Sequence, residues 1–229
     1  MVNKNHQITE KLTLGWLREN LALTIGNDLI KEGFSIDKKN TKLRKKIGDR
    51  NLIEVQFDCY AYTTKLEFRL LINFSMSEID SEAEKFDRFR KVNYQKGWTF
   101  IFFEGNFNPK TRDLEPKYIT SATHIVYDKE TLDEGIADCR KTLKDEITQM
   151  FPIFSNFLNF KDFIDNNYKI ITKMALIKPA LIATKLKSRH ELNILIDFLW
   201  KELDMDNKNE MHVTKILLKD MIRYVEEGN

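Results

Sequence analysis

The chain has 229 residues and a mass of 27.2 kDa, and 42% of its residues are hydrophobic and 31% are charged. These proportions exclude a disordered chain, a collagen-like fibre and a disulfide-stapled miniprotein. They fit a globular protein, since a chain of this length can bury roughly 70% of its unfolded surface. The 37 basic and 35 acidic residues leave a net charge of +2, which gives no global attraction to nucleic acid or to an anionic membrane.

The two cysteines, Cys59 and Cys139, stand in unlike contexts and are expected to be buried, unreactive thiols in a reducing compartment. The first residues, MVNKNHQITEK, lack the apolar core of a signal peptide. No window approaches the ~18 consecutive apolar residues that a membrane-spanning helix needs. We therefore expect a cytoplasmic protein without a membrane segment.

The first predicted element is a helix from about Thr9 to Glu32. Its apolar residues recur at helical spacing, at Leu14, Leu17, Leu21, Ile25 and Leu29. Gly33 stands where a left-handed C-terminal cap is needed, and Phe34 follows it where a capping hydrophobic contact is usual. The helix should therefore end at this glycine.

The hydrophobic period then changes to two, which predicts strands at residues 41–47, 52–62 and 65–75. The register expected for the first hairpin collects apolar residues on one face and opposite charges on the other. Its pairs are Leu43 with Phe57, Ile47 with Ile53, Lys42 with Asp58 and Lys46 with Glu54. The turn of this hairpin lies at Gly48-Asp49-Arg50-Asn51.

A short helix is predicted over residues 77–91, and further strands are predicted at 98–107 and 117–128. From Lys129 onward the pattern is helical, although Pro152 interrupts the first long helix. Ser188 and Glu191 form a capping box at the start of a later helix, and the last helix begins near Asn209. The predicted fold class is α+β, with an antiparallel meander sheet packed on helices. The expected domains are a core at 1–165 and a C-terminal helical extension at 166–229.

The sequence contains none of the familiar catalytic motifs. The chain has no glycine-rich dinucleotide or phosphate loop, no nucleophile elbow and no H-E-x-x-H zinc motif. Its four histidines are scattered over different predicted elements, and no pair has the spacing of metal ligands on a helix. The sequence therefore predicts no catalytic residues, no metal and no cofactor.

Three candidate surfaces remain. The first is the polar sheet face, formed by Glu54, Gln56, Asp58, Tyr60, Glu67, Arg69 and Asn73. The second is a pocket between the sheet and the helical tail, walled by Tyr60, Arg69, Trp98, Tyr118 and His124. The third is the basic stretch at residues 37–50, whose seven cations and two carboxylates leave a local charge of +5. Nucleic acid is disfavoured here, because exposed aromatic residues do not accompany these cations.

Several of these segments resemble a family of small bacterial proteins of unknown function. The resemblance rests on the helix ending KEGF, the strands LIEVQFDCYAY and INFS, and a helix leading into MFPIF and a phenylalanine run. It covers roughly Leu12 to Asn167. The family implies an α+β fold and no assigned activity, and related small cytoplasmic proteins encoded beside toxin genes act as immunity proteins. It supplies no functional residue.

The leading expectation is a non-catalytic interaction module, immunity- or antitoxin-like, whose partner is another protein. The alternative is a ligand-binding protein or an enzyme with a pocket between sheet and tail. A nucleic-acid binder using the basic hairpin comes third, and the oligomeric state is left open.

Overall fold

The structure is a computed structural model of the chain, and it describes residues 12–37, 41–48, 50–92, 100–103, 107–108, 113–114, 123–166, 177–202 and 208–227. Within these residues an N-terminal helix is followed by an antiparallel sheet, whose chain is interrupted by a helix at Ser77–Phe89, and then by a series of helices. The predicted α+β class is confirmed.

The N-terminal helix has three parts: α1 (Leu14–Leu21), a π-helical segment (Ala22–Gly26) and α2 (Asn27–Lys31). The Thr13 side chain caps α1 by accepting the Trp16 N–H. Around the π-helical segment, three side chains each donate a hydrogen bond to the backbone carbonyl four residues earlier. The donors are Asn20, Thr24 and Asn27. Such back-bonds compete with the regular helical bonds, and they accompany the widened turn. The predicted start at Thr9 lies outside the described residues.

The end of α2 follows the prediction. Gly33 has φ +89°, its N–H bonds the carbonyl of Ile30 at 2.9 Å, and the Phe34 N–H bonds that of Leu29 at 3.0 Å. These two bonds form a Schellman motif, which needs a left-handed residue at the glycine position. The side chain of Phe34 is buried in the core.

The main sheet has the order β1-β2-β3-β4-β5, and β8 pairs with β4 on the edge that β5 also uses. Its strands are β1 (Ser35–Ile36), β2 (Lys42–Ile47), β3 (Asn51–Ala61), β4 (Leu66–Ser75), β5 (Phe100–Phe103) and β8 (His124–Val126). A separate two-stranded ribbon joins β6 (Phe107–Asn108) to β7 (Asp113–Leu114). All pairs are antiparallel, as the meander requires.

The predicted register of the β2–β3 hairpin is wrong by two residues. Leu43 lies opposite Val55 and Ile47 opposite Asn51, so that Arg44, not Lys46, faces Glu54. A shift of two keeps every side chain on its predicted face, and the hydrophobic pattern cannot detect it. The observed register leaves three residues between the strands, and the first of them is Gly48 at φ +59°.

The remaining helices are α3 (Ser77–Phe89), α4 (Lys129–Phe154), α5 (Phe157–Asn166), α6 (Ile177–Lys187), α7 (Arg189–Glu202) and α8 (Lys208–Glu227). Asp128 and Thr131 form a capping box at the start of α4. The prediction that Pro152 interrupts this helix is wrong. Pro152 lies in the last turn, and α4 continues to Phe154. At α7 the Glu191 N–H bonds the Ser188 hydroxyl at 3.4 Å, which places the cap at the predicted serine.

Helices α1 and α4 cover the apolar face of the sheet. Arg18 on α1 contacts Cys59, and Cys139 on α4 lies 3.2 Å from the ring of His124. Cys139 is buried as predicted, whereas Cys59 is half-buried. Near the end of α4, the ring of Phe154 stacks on that of Phe74 at 4.1 Å.

The C-terminal helices share one hydrophobic core with the sheet and pack against α3. Buried Glu82 of α3 accepts the hydroxyl of Tyr224 at 2.8 Å and also bonds Lys185. Asp87 of α3 pairs with Lys178 at 2.5 Å. Charged bonds therefore tie α3 to both α6 and α8. The predicted domain boundary at residue 165 falls at the end of α5 and stays a prediction.

Candidate functional site

The predicted residues of the polar sheet face do share one face. In the β3–β4 register Glu54 lies opposite Asn73, Asp58 opposite Arg69, Tyr60 opposite Glu67, and Gln56 opposite Leu71. Alternation along an antiparallel pair puts all of these on the same side of the sheet. The two ends of this face differ sharply in exposure.

The end around Glu54 is closed. Glu54 is 0% exposed and Asn73 is 3% exposed, so the expectation of an open surface is wrong here. Arg44 reaches the Glu54 carboxylate at 2.7 Å and Lys42 reaches it at 3.3 Å. The Asn73 amide donates to the same carboxylate at 3.3 Å. These bonds compensate the buried charge, and this end of the face is a structural charge cluster.

The other end is exposed and holds a closed hydrogen-bond network. The Tyr60 hydroxyl donates to Asp58 at 2.7 Å and accepts from Arg69 at 2.6 Å, while Arg69 also donates to Asp58 at 2.8 Å. The hydrogen bond to Asp58 raises the pKa of the Tyr60 phenol. Each member holds the other two, so the ring of Tyr60 is presented in a fixed orientation.

Large exposed side chains lie at the same end of the sheet face as this network. Strand β8 places Ile125 opposite Glu67, in the same cross-strand row as Tyr60. Four large side chains at this end are exposed, Tyr60 at 38%, Tyr62 at 53%, Ile125 at 42% and Tyr127 at 56%, and together they are named the tyrosine patch. Lys65 lies beside the tyrosine patch. Its ammonium bonds Glu67 at 2.6 Å and lies 5.2 Å from the ring centre of Tyr62.

Sequence reasoning missed Tyr62, Ile125 and Tyr127 as site residues. The signal for Tyr62 was present, since it continues the alternation of β3 by one further step. Ile125 and Tyr127 reach the patch only because β8 pairs with the far edge of β4. No local pattern in the sequence encodes that pairing.

The predicted pocket between the sheet and the helical tail does not form from those of its predicted lining residues that the structure describes. His124 lies on the helix-covered face, where its ring stacks on Phe68 at 4.8 Å. Tyr60 and Arg69 lie on the opposite face, so they cannot line one pocket with His124. Trp98 and Tyr118 lie outside the described residues.

The basic stretch is partly engaged in internal contacts. Lys42 and Arg44 pair with Glu54, and the Lys45 ammonium donates to the carbonyl oxygen of Glu32 at 2.5 Å. These contacts reduce the charge available for a phosphate chain. Lys38 and Lys39 lie outside the described residues.

Among the residues that the structure describes, no three histidine, cysteine or acidic side chains are grouped so that they could hold a metal ion. No helix in the same part of the chain has the length and apolarity needed to cross a membrane. Comparison of the chain with protein-family models, curated proteins and solved structures found no match. The resemblance to a bacterial family of unknown function therefore stays a prediction.

Proposed function

We propose that the protein is a non-catalytic interaction module that binds another protein through the tyrosine patch. The observation that carries this proposal is the clustering of exposed tyrosines around the Asp58–Tyr60–Arg69 network. Single exposed apolar residues are ordinary on protein surfaces, but contiguous ones indicate a contact surface.

The composition of the patch supports a protein partner. Tyrosine and arginine are among the side chains enriched at binding hot spots, where tyrosine buries a large rigid ring and arginine supplies several hydrogen-bond donors. Here Arg69 lies 5.2 Å from the ring centre of Tyr60 and bonds its hydroxyl, so both are held before any partner arrives. Preorganisation of this kind reduces the entropy lost on association.

The proposal of an immunity- or antitoxin-like role rests on the resemblance of the sequence to the bacterial family. An immunity- or antitoxin-like role in the cytoplasm fits a small protein that presents a rigid recognition surface and no assembled catalytic group among its described residues. In that role the partner would be a toxin domain, and the patch would supply the central contacts while charged neighbours such as Lys65 and Glu67 form the rim.

The test is affinity capture from the native host, with partners identified by mass spectrometry. A Tyr62→Ala/Tyr127→Ala variant should lose a partner that the unmodified chain retains, since hot-spot truncations cost about 2 kcal/mol or more each. The matched control is Leu23→Ala/Val213→Ala, because Leu23 and Val213 are 62% and 64% exposed and lie outside the patch. Capture of the same proteins by all three forms would refute the proposal, as would capture of none.

A second variant tests the network itself. Tyr60→Phe keeps the ring but removes the hydroxyl that bridges Asp58 and Arg69. If the network presents the ring, affinity for the captured partner should fall although the apolar surface is kept. Unchanged affinity would show that the network has only a structural role.

A further inference from the structure

The tyrosine patch has the profile of a shallow groove. Its exposed side chains stand in two outer rows, Tyr60 and Tyr62 along β3 and Ile125 and Tyr127 along β8. The chain of β4 runs between these rows and contributes Lys65 and Glu67, whose side chains are only half-buried and lie lower than the exposed rows. The space between the two rows is named the β4 groove.

Strand pairing fixes the width of the β4 groove. Glu67 lies opposite Tyr60 on one side and opposite Ile125 on the other. The Tyr62 N–H bonds the Lys65 carbonyl at 2.9 Å, and both Tyr62 and Tyr127 act electrostatically on the Lys65 ammonium. The outer rows are therefore two strand spacings apart, about 9–10 Å. One extended chain can lie between them, parallel to β4.

The charges of the groove compensate one another. The Lys65 ammonium bonds Glu67 at 2.6 Å, and Arg69 bonds Asp58 at 2.8 Å. These two cations and two carboxylates leave a local charge of zero. Electrostatic complementarity therefore favours an uncharged segment over an acidic or a basic one.

The backbone below the groove excludes recognition by strand addition. At Leu66 and Phe68, β4 pairs with β3 on one side and with β8 on the other. Strand addition needs an open sheet edge, so a segment lying on this face must be recognised through side chains.

Proline-rich segments meet these conditions. They characteristically dock in grooves lined by aromatic side chains. Their polyproline II helix has no internal hydrogen bonds, so its carbonyl oxygens can accept from tyrosine hydroxyls, and proline has no N–H that would need a partner. The helix is also formed before binding, which reduces the entropy lost on association.

We propose that the β4 groove binds a proline-rich segment in the polyproline II conformation. Its prolyl rings pack against Tyr62 and Tyr127, and the paired charges of β4 form the floor. Successive tyrosines of a row are about 7 Å apart along the strand, so the central contacts cover about three to four residues at ~3.1 Å each. This inference rests on the proposed function, since it names the chemistry of the partner at the same patch.

Fluorescence polarisation with labelled decaproline and the full chain tests the proposal. The comparison peptide is a labelled decapeptide of alternating glycine and serine, which has the same length but no rings and no preformed helix. Decaproline should bind at least about tenfold more tightly. Equal binding of the two peptides would overturn the proposal, as would the absence of binding by decaproline.

Variants locate the site. Tyr62→Ala/Tyr127→Ala should weaken decaproline binding by at least about tenfold. The matched control, Leu23→Ala/Val213→Ala, removes exposed apolar side chains outside the patch and should bind decaproline as the unmodified chain does. Circular dichroism confirms that each variant folds. If the patch variant binds as tightly as the control, the β4 groove is not the site.

Competition separates this inference from the proposed function. Saturating decaproline should release a partner captured through the tyrosine patch. If the patch variant loses a captured partner but decaproline neither binds nor releases it, the proposed function stands and the proline-rich ligand is wrong. If decaproline binds in the groove and no partner is captured, the ligand class stands and the proposed function is wrong.

Discussion

At Glu54 the burial of each charged group determines how much its neutralisation lowers the free energy of unfolding. Its carboxylate is fully buried, whereas the side chains of its partners Lys42 and Arg44 are 37% and 51% exposed. If Glu54 is removed, Lys42 and Arg44 are still hydrated by water. If Lys42 and Arg44 are removed, the Glu54 carboxylate stays buried and is not hydrated. The two sides of this cluster should respond unequally to neutralisation.

Glu54→Gln should cost about 1–2 kcal/mol, since the amide keeps part of the hydrogen bonding and the two cations turn to solvent. Lys42→Gln/Arg44→Gln should cost about 3–5 kcal/mol, because it leaves a buried carboxylate without a counter-charge. Urea unfolding at pH 7 measures both. Equal losses would mean that Glu54 is solvated in the folded protein.

The two thiols give a second prediction about single residues. Burial raises the pKa of Cys59 to about 11 from its ordinary value of 9.0, although Arg18 opposes the shift. A shift of this size reduces the thiolate population near neutral pH by about 100-fold. Cys59 should therefore react slowly with a thiol reagent in the native state, and fully buried Cys139 should react only on unfolding. Rapid native labelling of either thiol would contradict this.

The hydrophobic pattern of β2 and β3 did not determine the register in which these two strands pair. In the β2–β3 hairpin, Arg44 faces Glu54 and Lys46 faces Leu52. Both registers bury the same apolar residues, so the choice between them falls to the turn and to the buried carboxylate. In the observed register Arg44 donates to the Glu54 carboxylate at 2.7 Å, and Lys42 reaches the same carboxylate at 3.3 Å.

Double-mutant cycles distinguish the two registers. The Arg44→Gln and Glu54→Gln cycle should give a coupling energy of about 1–2 kcal/mol, because the pair is charged and bonded at a buried site. The Lys46→Gln and Glu54→Gln cycle should give a coupling near zero, since Lys46 is exposed and faces Leu52, two pairs along the ladder from Glu54. Coupling in the second cycle and none in the first would restore the register expected from the sequence.

The attachment of the C-terminal helices to α3 makes the stability of the whole molecule dependent on pH. Burial raises the pKa of Glu82, but hydrogen bonds from Lys185, Tyr224 and Lys85 outweigh it and hold the pKa below its ordinary value of 4.5. The folded state therefore binds this proton less tightly than the unfolded state does. The stabilisation is complete above the ordinary pKa and is lost as the pH falls through the lower, folded value.

We expect the free energy of unfolding to fall as the pH drops below the ordinary glutamate pKa of 4.5, and Glu82→Gln to flatten this fall. The control is Glu84→Gln on the same helix, where Glu84 forms an exposed ion pair with Arg88. Its slope should match that of the unmodified chain. If Glu82→Gln leaves the pH dependence unchanged, the acid sensitivity arises elsewhere, for instance at Asp37, whose pKa is also lowered.

Much of the fold was readable from short-range spacing. The cap at Gly33, the alternation of β3 and β4, the start of α4 at Lys129 and the N-cap at Ser188 all follow from residues within a few positions of one another. Propensity, periodicity and capping act over one or two turns, so the sequence expresses them directly. The placement of the polar sheet face belongs to this group, because alternation alone assigns its side.

Other features depend on contacts between residues that are distant in the chain. Glu54 is buried because β2 and β4 both place partners over it, and the tyrosine patch forms because β8 returns to the edge of β4. A cavity of about 700 Å³ between α2, β2 and α4 needs all three of these elements to enclose it. Long-range pairing and packing select among arrangements that satisfy the same local pattern, so exposure, register and cavities emerge only when the chain is folded.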